Sequence, residues 1–391
     1  MKFRFLVCPL AISLCGLLSC SKNNNSAVTT SGTGVLYIAA QGDSSLTAYT
    51  VALSNGSLST LGTVQSTGTS PFAIALSPSL QAMFVDNQVS DSVSSYTVNS
   101  DGSLTAVTGT VKTGTMPMGM AIDPAGKFLF VANQGSSNIS VFAISTASLK
   151  EVAGSPFSTI PAGTIVPTGP TSLAVSGSGN FLYVSNNFTG TVSAFSISSA
   201  GALAELSSSP YTVGIAPSGV AIPPNGGFLY VANTGSNNIS AFAICDKLVT
   251  SCADVNHPDG TLKPVPGSPF SDGGGPIAVA IDPSFSFFYV LEKGSNQISV
   301  FTYGTGSGVL TPFVTTPTVS TGQTPVSFVI VSGATGSNIG NTLTNPTDFV
   351  YVVNNGSSTL SAFTLDTATG VLTVLGTPVT TSVNPTSVAA N

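Results

Sequence analysis

One hairpin-like segment recurs along this chain, and that recurrence limits the possible folds more than any other feature. It is clearest at residues 128–142, and closely similar segments follow at 181–195 and 228–242. Each copy has a short apolar run with an aromatic residue, a polar loop rich in Asn, Gly, Ser or Thr, and a second alternating run that ends in Phe. Apolar runs of this length on either side of a polar turn predict a two-stranded antiparallel hairpin.

Seven such units are found when the copies are aligned on the aromatic residue of the first run. These residues are Tyr37, Phe84, Phe130, Tyr183, Tyr230, Tyr289 and Tyr351, spaced 46 to 62 residues apart. A short run that opens with Pro precedes every unit except the first, as at 117–122, and a fourth segment follows each hairpin, as at 102–107. Four strands in a unit of about 45 residues are typical of a β-propeller blade.

The two ends of the repeat region predict how the ring closes. The first unit lacks the Pro-led run, and residues 385–391 match that run. Closing the ring with this segment removes exposed sheet edges, whereas an open stack needs capping repeats. The sequence therefore predicts an all-β, seven-bladed β-propeller with four antiparallel strands per blade, in which the C-terminal strand completes blade one.

The first residues have the pattern of a secretory signal. Lys2 and Arg4 precede an apolar run at 5–18, which is short for a membrane span. The run ends in Leu-Leu-Ser-Cys, which resembles the bacterial lipobox and makes Cys20 the predicted site of lipid attachment. A plain signal peptide with cleavage nearby is the alternative.

These features divide the chain into three parts. We expect a lipoprotein signal peptide at 1–19, a flexible tether rich in Ser, Thr, Asn and Gly at 20–33, and the propeller at 34–391. The protein is then expected to be exported and held by its lipid in the bacterial cell envelope, at the outer membrane, in the periplasm or at the cell surface.

Charged residues are scarce, since they make up 6% of the chain against about 25% in ordinary soluble proteins. Arg4 is the only arginine, so the chain beyond the leader has none. Binding to nucleic acid depends on clustered cations that displace counterions from phosphate groups. We therefore expect a neutral, hydroxyl-rich surface and no nucleic-acid partner. Separately, we expect the protein to be a monomer.

Common catalytic and cofactor motifs do not occur in the sequence. It has no Gly-x-Ser-x-Gly elbow, no phosphate-binding loop with Lys and no dinucleotide fingerprint. The single histidine, His257, lies in an insertion at 245–260, which is expected on the face opposite the usual channel mouth. One histidine and few cysteines do not make a zinc site of the usual spacing. We therefore expect no cofactor and no metal ion.

Two cysteines, Cys245 and Cys252, bracket the start of this insertion. Because an exported protein meets an oxidising compartment, we expect a disulfide between them, which stabilises so short a loop by about 2 kcal/mol. Two free, buried thiols are the alternative.

An asparagine ends the first hairpin strand in five units. These residues are Asn87, Asn133, Asn186, Asn233 and Asn354. A polar ring around the channel is one interpretation, but Asn also tolerates left-handed turns and bonds nearby backbone, and that folding role is the one we favour. Unit six has Glu292 and Lys293 instead, which are candidate catalytic residues if they lie at the channel mouth, whereas an exposed pair there is merely solvated charge.

The repeat pattern Tyr/Phe-Val-x-Asn-x-Gly-x-Asn-x-Ile/Val-Ser and the Gly-Ser-Pro-Phe segments at 154–157 and 267–270 resemble the seven-bladed lactonase-type propellers. That superfamily includes bacterial 6-phosphogluconolactonases and surface proteins with Tyr-Val-Thr-Asn repeats. The resemblance covers 34–391 and implies the propeller architecture, with lactone hydrolysis as one activity of its members.

Two functions from different classes follow, and we favour the first. It is a non-catalytic binding or interaction scaffold in the envelope, with a protein or carbohydrate partner at the cell surface; a structural surface-layer component is a variant of it. The second is a lactonase that acts on a sugar lactone or a neutral lactone, with Glu292 acting through water. Phosphorylated sugar acids require cationic binding groups, for which Arg is best shaped, and the chain beyond the leader has none.

Overall fold

A computed structural model of the protein describes residues 32–79, 81–224, 226–246, 259–282, 286–314, 317–333 and 347–391. Over these residues the chain forms 33 β-strands. Within the same residues there is no helix long and apolar enough to cross a membrane.

In the first three blades, short apolar strands are separated by polar turns, as the hairpin repeat predicts. In chain order they are β1 (Thr33–Ala40), β2 (Ser45–Ala52), β3 (Leu58–Ser66), β4 (Pro71–Leu76), β5 (Ala82–Asn87), β6 (Ser92–Val98), β7 (Leu104–Lys112), β8 (Pro117–Ile122), β9 (Phe128–Asn133), β10 (Asn138–Ser145), β11 (Ser148–Glu151) and β12 (Phe157–Ser158).

Blades four to seven repeat this order. Their strands are β13 (Pro170–Val175), β14 (Phe181–Asn186), β15 (Thr191–Ile197), β16 (Leu203–Glu205), β17 (Tyr211–Thr212), β18 (Pro217–Ala221), β19 (Phe228–Asn233), β20 (Asn238–Cys245), β21 (Thr261–Pro264), β22 (Phe270–Ser271), β23 (Pro276–Ile281), β24 (Phe287–Glu292), β25 (Gln297–Tyr303), β26 (Leu310–Pro312), β27 (Thr318–Ser320), β28 (Pro325–Val331), β29 (Thr347–Asn354), β30 (Thr359–Asp366), β31 (Leu372–Val374) and β32 (Val379–Thr380). The last strand, β33 (Pro385–Ala390), follows them.

The strands form seven separate antiparallel sheets, one for each blade, so the prediction of seven blades is confirmed. In blade two the order is β4-β5-β6-β7, from the inner strand to the outer one. In blades three to seven the outer strand is divided into two short pieces, and both pieces pair with the third strand of the blade. Each blade therefore keeps four strand positions.

The C-terminal strand completes blade one, as predicted. β33 pairs antiparallel with β1, with Ala390 opposite Leu36 and Val388 opposite Ile38. The side-chain oxygen of Asn391 also accepts a hydrogen bond of 2.8 Å from the Val35 N–H. The first and last strands of the propeller thus share one sheet, and this pairing joins the two ends of the ring.

Hydrogen bonds from buried tyrosines tie neighbouring blades together. The hydroxyl of the repeat tyrosine donates to the carbonyl of a turn glycine in the next blade, in five places: Tyr37 to Gly102, Tyr183 to Gly260, Tyr230 to Gly308, Tyr289 to Gly370 and Tyr351 to Gly56, at 2.7 to 3.1 Å. Burial raises the pKa of these tyrosines above its usual value. Where the recurring aromatic residue is a tyrosine, it therefore links its blade to the next one.

The strand directions define two faces of the ring. The turn between the second and third strands of each blade, such as 88–91 in blade two, lies on the same face as the segment that leads into the next inner strand. We call this the mouth face. The turns between the first and second strands and between the third and fourth strands lie on the opposite face.

Candidate functional site

Seven side chains surround the channel on the mouth face, and each directly follows the last residue of a second strand. They are Gln41, Gln88, Gln134, Asn187, Thr234, Lys293 and Asn355, which we call the mouth ring. Six of them are neutral and half-buried, and Lys293 is exposed. The ring therefore offers amide and hydroxyl groups with a single positive charge.

Hydrogen bonds to the inner strand of the next blade hold part of the mouth ring in place. Asn187 donates to the Pro217 carbonyl at 3.0 Å, and Thr234 donates to the Pro276 carbonyl at 2.6 Å. Asn355 makes the same bond, at 3.0 Å, to the carbonyl of Pro385 in the closing strand. Because the inner strands surround the axis, these bonds place the ring at the entrance of the channel.

The channel wall below the mouth ring is mixed in polarity. In six of the seven inner strands the second residue is the one that is partly exposed, which places it on the channel wall. The residues at this position are Phe72, Met118, Thr171, Ser218, Ile277, Val326 and the buried Thr386. None of them is charged. The Ser218 hydroxyl lies 2.9 Å from that of Thr234 in the mouth ring, so polar groups continue inward from the ring on this side.

The repeat asparagines join the two strands of their hairpins by side-chain hydrogen bonds and do not line the channel. Asn233 is fully buried, and its side-chain nitrogen donates to Asn238 at 2.8 Å and to Ser240 at 2.9 Å. Asn133 makes the equivalent bonds at 2.8 and 2.9 Å. A role in folding is therefore what the geometry supports, although its details differ from our expectation, since the residue with a left-handed backbone is a later one, such as Asn237 with φ 52°.

Glu292 occupies the asparagine position in blade six, and the structure corrects the idea that it belongs to an exposed charged pair. Its side chain is fully buried. The carboxylate accepts hydrogen bonds from Ser295, from Gln297 at 2.7 Å and from Ser299. Only Lys293 of the predicted pair is exposed, because the next residue leaves the strand and joins the mouth ring.

A second carboxyl group, which the sequence analysis missed, faces Glu292. Asp272 lies in the segment between β22 and β23 and is half-buried. Both of its carboxyl oxygens are shielded from solvent without a well-formed hydrogen bond. Burial and the nearby Glu292 carboxylate raise the pKa of Asp272 above its usual value.

Asp272 can therefore keep its proton beside the Glu292 carboxylate, because two adjacent buried carboxylates do not readily ionise together. Such a pair can transfer a proton to or from a bound molecule, or it can serve as an internal hydrogen bond that fixes the segment 272–275 against β24. Gly274 packs directly on Glu292, and a Cβ at this position would collide with the carboxylate.

Positive charge on the mouth face is sparse. Among the described residues, the lysines on this face are Lys293 and Lys112, and the Lys112 ammonium donates to the Ser90 carbonyl at 3.2 Å. Lys127, Lys150 and Lys263 lie towards the opposite face. As far as the structure describes it, the mouth face therefore has no cluster of cations of the kind that binds phosphate groups.

A groove of about 590 Å³ lies beside the mouth between blades four and five. Phe188 and Ile215 form part of its wall, with 59% and 69% of their surfaces exposed, and no charged residue lines it. The Phe188 ring packs on Gly169, where a Cβ would lie 2.5 Å from the ring. The groove extends the neutral surface of the mouth ring outwards.

Several predicted residues lie outside the part of the chain that the structure describes. They are Cys20, Cys252 and His257. Cys245, at the end of β20, is disulfide-bonded, and its pairing with Cys252 stays a prediction. Within the described residues, His, Cys, Asp and Glu side chains form no group of three or more that could hold a metal ion.

A family model described as a lactonase, 7-bladed beta-propeller, matches residues 18–112, 73–156, 147–252 and 245–391. Solved structures share the architecture. A putative 6-phosphogluconolactonase from Bacteroides fragilis NCTC 9343 has a TM-score of 0.75 and 17% identity, over 94% of this chain and 100% of that one. A protein from Lactobacillus plantarum has a TM-score of 0.71 and 19% identity, over 92% and 99% of the two chains.

The periplasmic gluconolactonase of Pseudomonas aeruginosa has a TM-score of 0.62 and 21% identity, over 80% of this chain and 96% of that one. At these identities the structural likeness shows the fold alone. Among curated proteins, none matches this sequence.

Proposed function

The chain belongs to the lactonase family of seven-bladed β-propellers, and we propose that it is an exported, lipid-anchored member that binds a neutral, carbohydrate-like ligand at the mouth ring without hydrolysing it. The observation that carries the proposal is the composition of that ring, in which six of seven side chains are neutral amides or hydroxyls. Such groups match the hydroxyls of a sugar, since each can donate or accept hydrogen bonds at a half-buried site.

The sparse charge of the mouth face supports a neutral ligand over a phosphorylated one. Phosphate groups are bound most strongly by arginine forks or by several lysines. The ring has one lysine, Lys293, and the chain beyond the leader has no arginine. The carboxyl groups of Asp272 and Glu292 add negative charge nearby, which further disfavours an anion.

Export and anchoring through Cys20 fit the direction of the first strand. β1 runs from the opposite face to the mouth face, and the Gly32 carbonyl accepts a hydrogen bond from the Leu53 N–H on the opposite face at 2.9 Å. The tether from Cys20 would thus join the propeller on the face opposite the mouth. The chain should incorporate labelled fatty acid, and Cys20→Ala should abolish both labelling and membrane association; labelling that persists in the variant would contradict the anchor.

The ligand class is tested by applying the full chain, purified in detergent, to an array of neutral and anionic glycans. We expect saturable binding to neutral glycans and no preference for phosphorylated or sulfated ones. Binding confined to the anionic glycans, or to none of the array, would contradict the proposal.

Lactone hydrolysis is a second candidate function, and the facing carboxyl groups of Asp272 and Glu292 are the observation that favours it. In this reaction the ionised carboxylate removes a proton from water while the water oxygen attacks the lactone carbonyl carbon. The ring C–O bond then breaks, and the leaving oxygen takes up a proton from the pair. Water and lactone give one hydroxy acid, and the pair returns to its starting state.

Turnover of neutral lactones and of 6-phosphogluconolactone by the full chain tests this second function. If it holds, Asp272→Asn and Glu292→Gln should each lower kcat by about a hundredfold or more, because each removes one member of the acid–base pair. Circular dichroism checks that the variants keep the fold. Absence of turnover above the uncatalysed rate, or equal turnover in wild type and variants, would reject the pair as the catalytic site.

A further inference from the structure

A buried carboxyl group between blades two and three has one oxygen without a hydrogen-bond partner. Asp86 is the fifth of six residues in β5, and its side chain is fully buried. One carboxyl oxygen, Oδ1, accepts a hydrogen bond of 2.5 Å from the Ala73 N–H in β4 of the same blade. The other oxygen, Oδ2, is shielded from solvent and has no hydrogen-bond partner.

Blade four shows what a polar side chain does at this position. Ser185 is the equivalent fifth residue of β14, and its hydroxyl accepts a hydrogen bond of 3.2 Å from the Ser172 N–H, the counterpart of Ala73. The same hydroxyl donates at 2.8 Å to the carbonyl of Ser218, the second residue of the inner strand of blade five. Ser185 thus joins its own inner strand to that of the next blade.

Like Ser185, Asp86 accepts a hydrogen bond from the inner strand of its own blade. A hydrogen bond from Asp86 to the inner strand of the next blade requires a proton on the carboxyl group. The residue in blade three that corresponds to Ser218 is Met118, the second residue of β8. An ionised carboxylate has only acceptors, and so has a backbone carbonyl, so they cannot form a hydrogen bond with each other. A protonated carboxyl group has one O–H donor, which can take the role of the Ser185 hydroxyl.

We propose that Asp86 is protonated in the folded protein and that its O–H donates a hydrogen bond to the Met118 carbonyl. This hydrogen bond would be a pH-sensitive link between blades two and three. The remaining blades have apolar residues at this position: Ala39, Ala132, Ala232, Leu291 and Val353. Among the described residues, this seam is therefore the one that depends on an ionisable side chain at the fifth position of the second strand.

The surroundings of Asp86 favour the protonated form. The strands packed against it, β4, β6, β8 and β9, contain no Asp, Glu, Lys, Arg or His, and the Tyr96 hydroxyl in β6 is engaged with the Ser66 carbonyl at 2.6 Å. Burial raises the pKa of Asp86 to about 7, although the N–H groups of Ala73 and Phe72 partly offset this effect.

The sign of the pH dependence follows from this shift. The folded state binds the proton more tightly than the unfolded state, in which the pKa lies near its usual value of 3.8. Stability from this group is therefore greatest in acid and is lost as the pH rises through the folded-state pKa. Between pH 5 and pH 8 the unfolding equilibrium constant should rise about a hundredfold through Asp86 alone.

Urea unfolding of the full chain at pH 5 and pH 8 tests this hydrogen bond. Asp86→Ser introduces the residue of blade four, and it should remove most of this hundredfold change. The matched control is Asp101→Asn, at an exposed aspartate whose hydrogen bonds with Ser103 lower its pKa, and it should keep the wild-type change between these two pH values. An Asp86→Ser protein with the full wild-type pH dependence would overturn the proposal.

Infrared spectroscopy gives a second readout that does not depend on the stability of a variant. At pH 6 the wild type should show a carboxylic-acid C=O band, and part of it should disappear as the pH is raised through 7. Asp86→Asn should lack that part, while Asp272→Asn, which removes another buried carboxyl group with a raised pKa, should keep it. A wild-type spectrum with no such band below pH 7 would also overturn the proposal.

Discussion

A chain that ends at Asn384 is expected to lose the closed propeller. The deletion removes β33, whose six residues are all buried, and leaves β1 as an unpaired inner edge of blade one. The loss includes the pairing with β1 and the packing of Val388 and Ala390 in the core between blades one and seven. Since natural domains are stable by about 5 to 15 kcal/mol, the loss of a whole buried strand should exceed the stability of the protein.

The control for this deletion is a circular permutant that keeps the strand but changes its place in the chain. Residues 385–391 are placed before residue 32 through a short Gly/Ser linker, which is feasible because Asn391 lies beside Val35 in the closed ring. We expect the permutant to be soluble and to unfold cooperatively in urea, and the truncated chain to aggregate. Cooperative unfolding of the truncated chain at the wild-type urea concentration would contradict closure by β33.

Gly274→Ala is expected to destabilise the protein by about 3 kcal/mol, since overpacking of a rigid, buried site commonly costs this much. The new Cβ would overlap the Glu292 carboxylate and lie 2.6 Å from the Ser295 hydroxyl. The carboxylate cannot easily move away, because Ser295, Gln297 and Ser299 all donate hydrogen bonds to it.

Two further variants distinguish this collision from a general effect of replacing glycine. Gly306→Ala adds a Cβ with no atom within 4 Å, so its unfolding free energy should stay within about 0.5 kcal/mol of wild type. Combining Gly274→Ala with Glu292→Ser removes the obstructing carboxylate, and the two changes together should cost less than their sum. Strict additivity would contradict the contact between Gly274 and Glu292.

The architecture could be predicted from the sequence because the repeat carries it. The tyrosine or phenylalanine of each second strand, the Pro-led inner strand and the match of 385–391 to the missing strand of blade one all recur at the level of residue type. The asparagine role was also accessible, since Asn233 is followed by Asn238 and Ser240, and equivalent polar residues follow the other repeat asparagines. Only the structure shows that the side-chain amide of Asn233 donates its hydrogen bonds to these two residues.

The candidate site was harder to predict from the sequence, for two physical reasons. Glu292 occupies the asparagine position of the repeat, but a single carboxylate at a strand end looks like an exposed charge in the sequence. Its burial depends on the hydrogen bonds that it accepts inside the hairpin. Asp272 meets it from a segment 20 residues earlier, and the sequence pattern does not define the path of that segment. The mouth ring could have been found, because its residues occupy one fixed position after each second strand.

A ligand site at the mouth ring is tested most directly by the affinity of a neutral glycan for a mouth variant. Gln134→Ala with Lys293→Ala removes two ring side chains, and Gln81→Ala with Lys127→Ala makes the same chemical changes on the opposite face. By isothermal titration calorimetry, we expect the mouth variant to bind at least about tenfold more weakly than wild type, which corresponds to about 1.4 kcal/mol, and the control to bind equally well. Equal affinity of all three proteins would contradict the account.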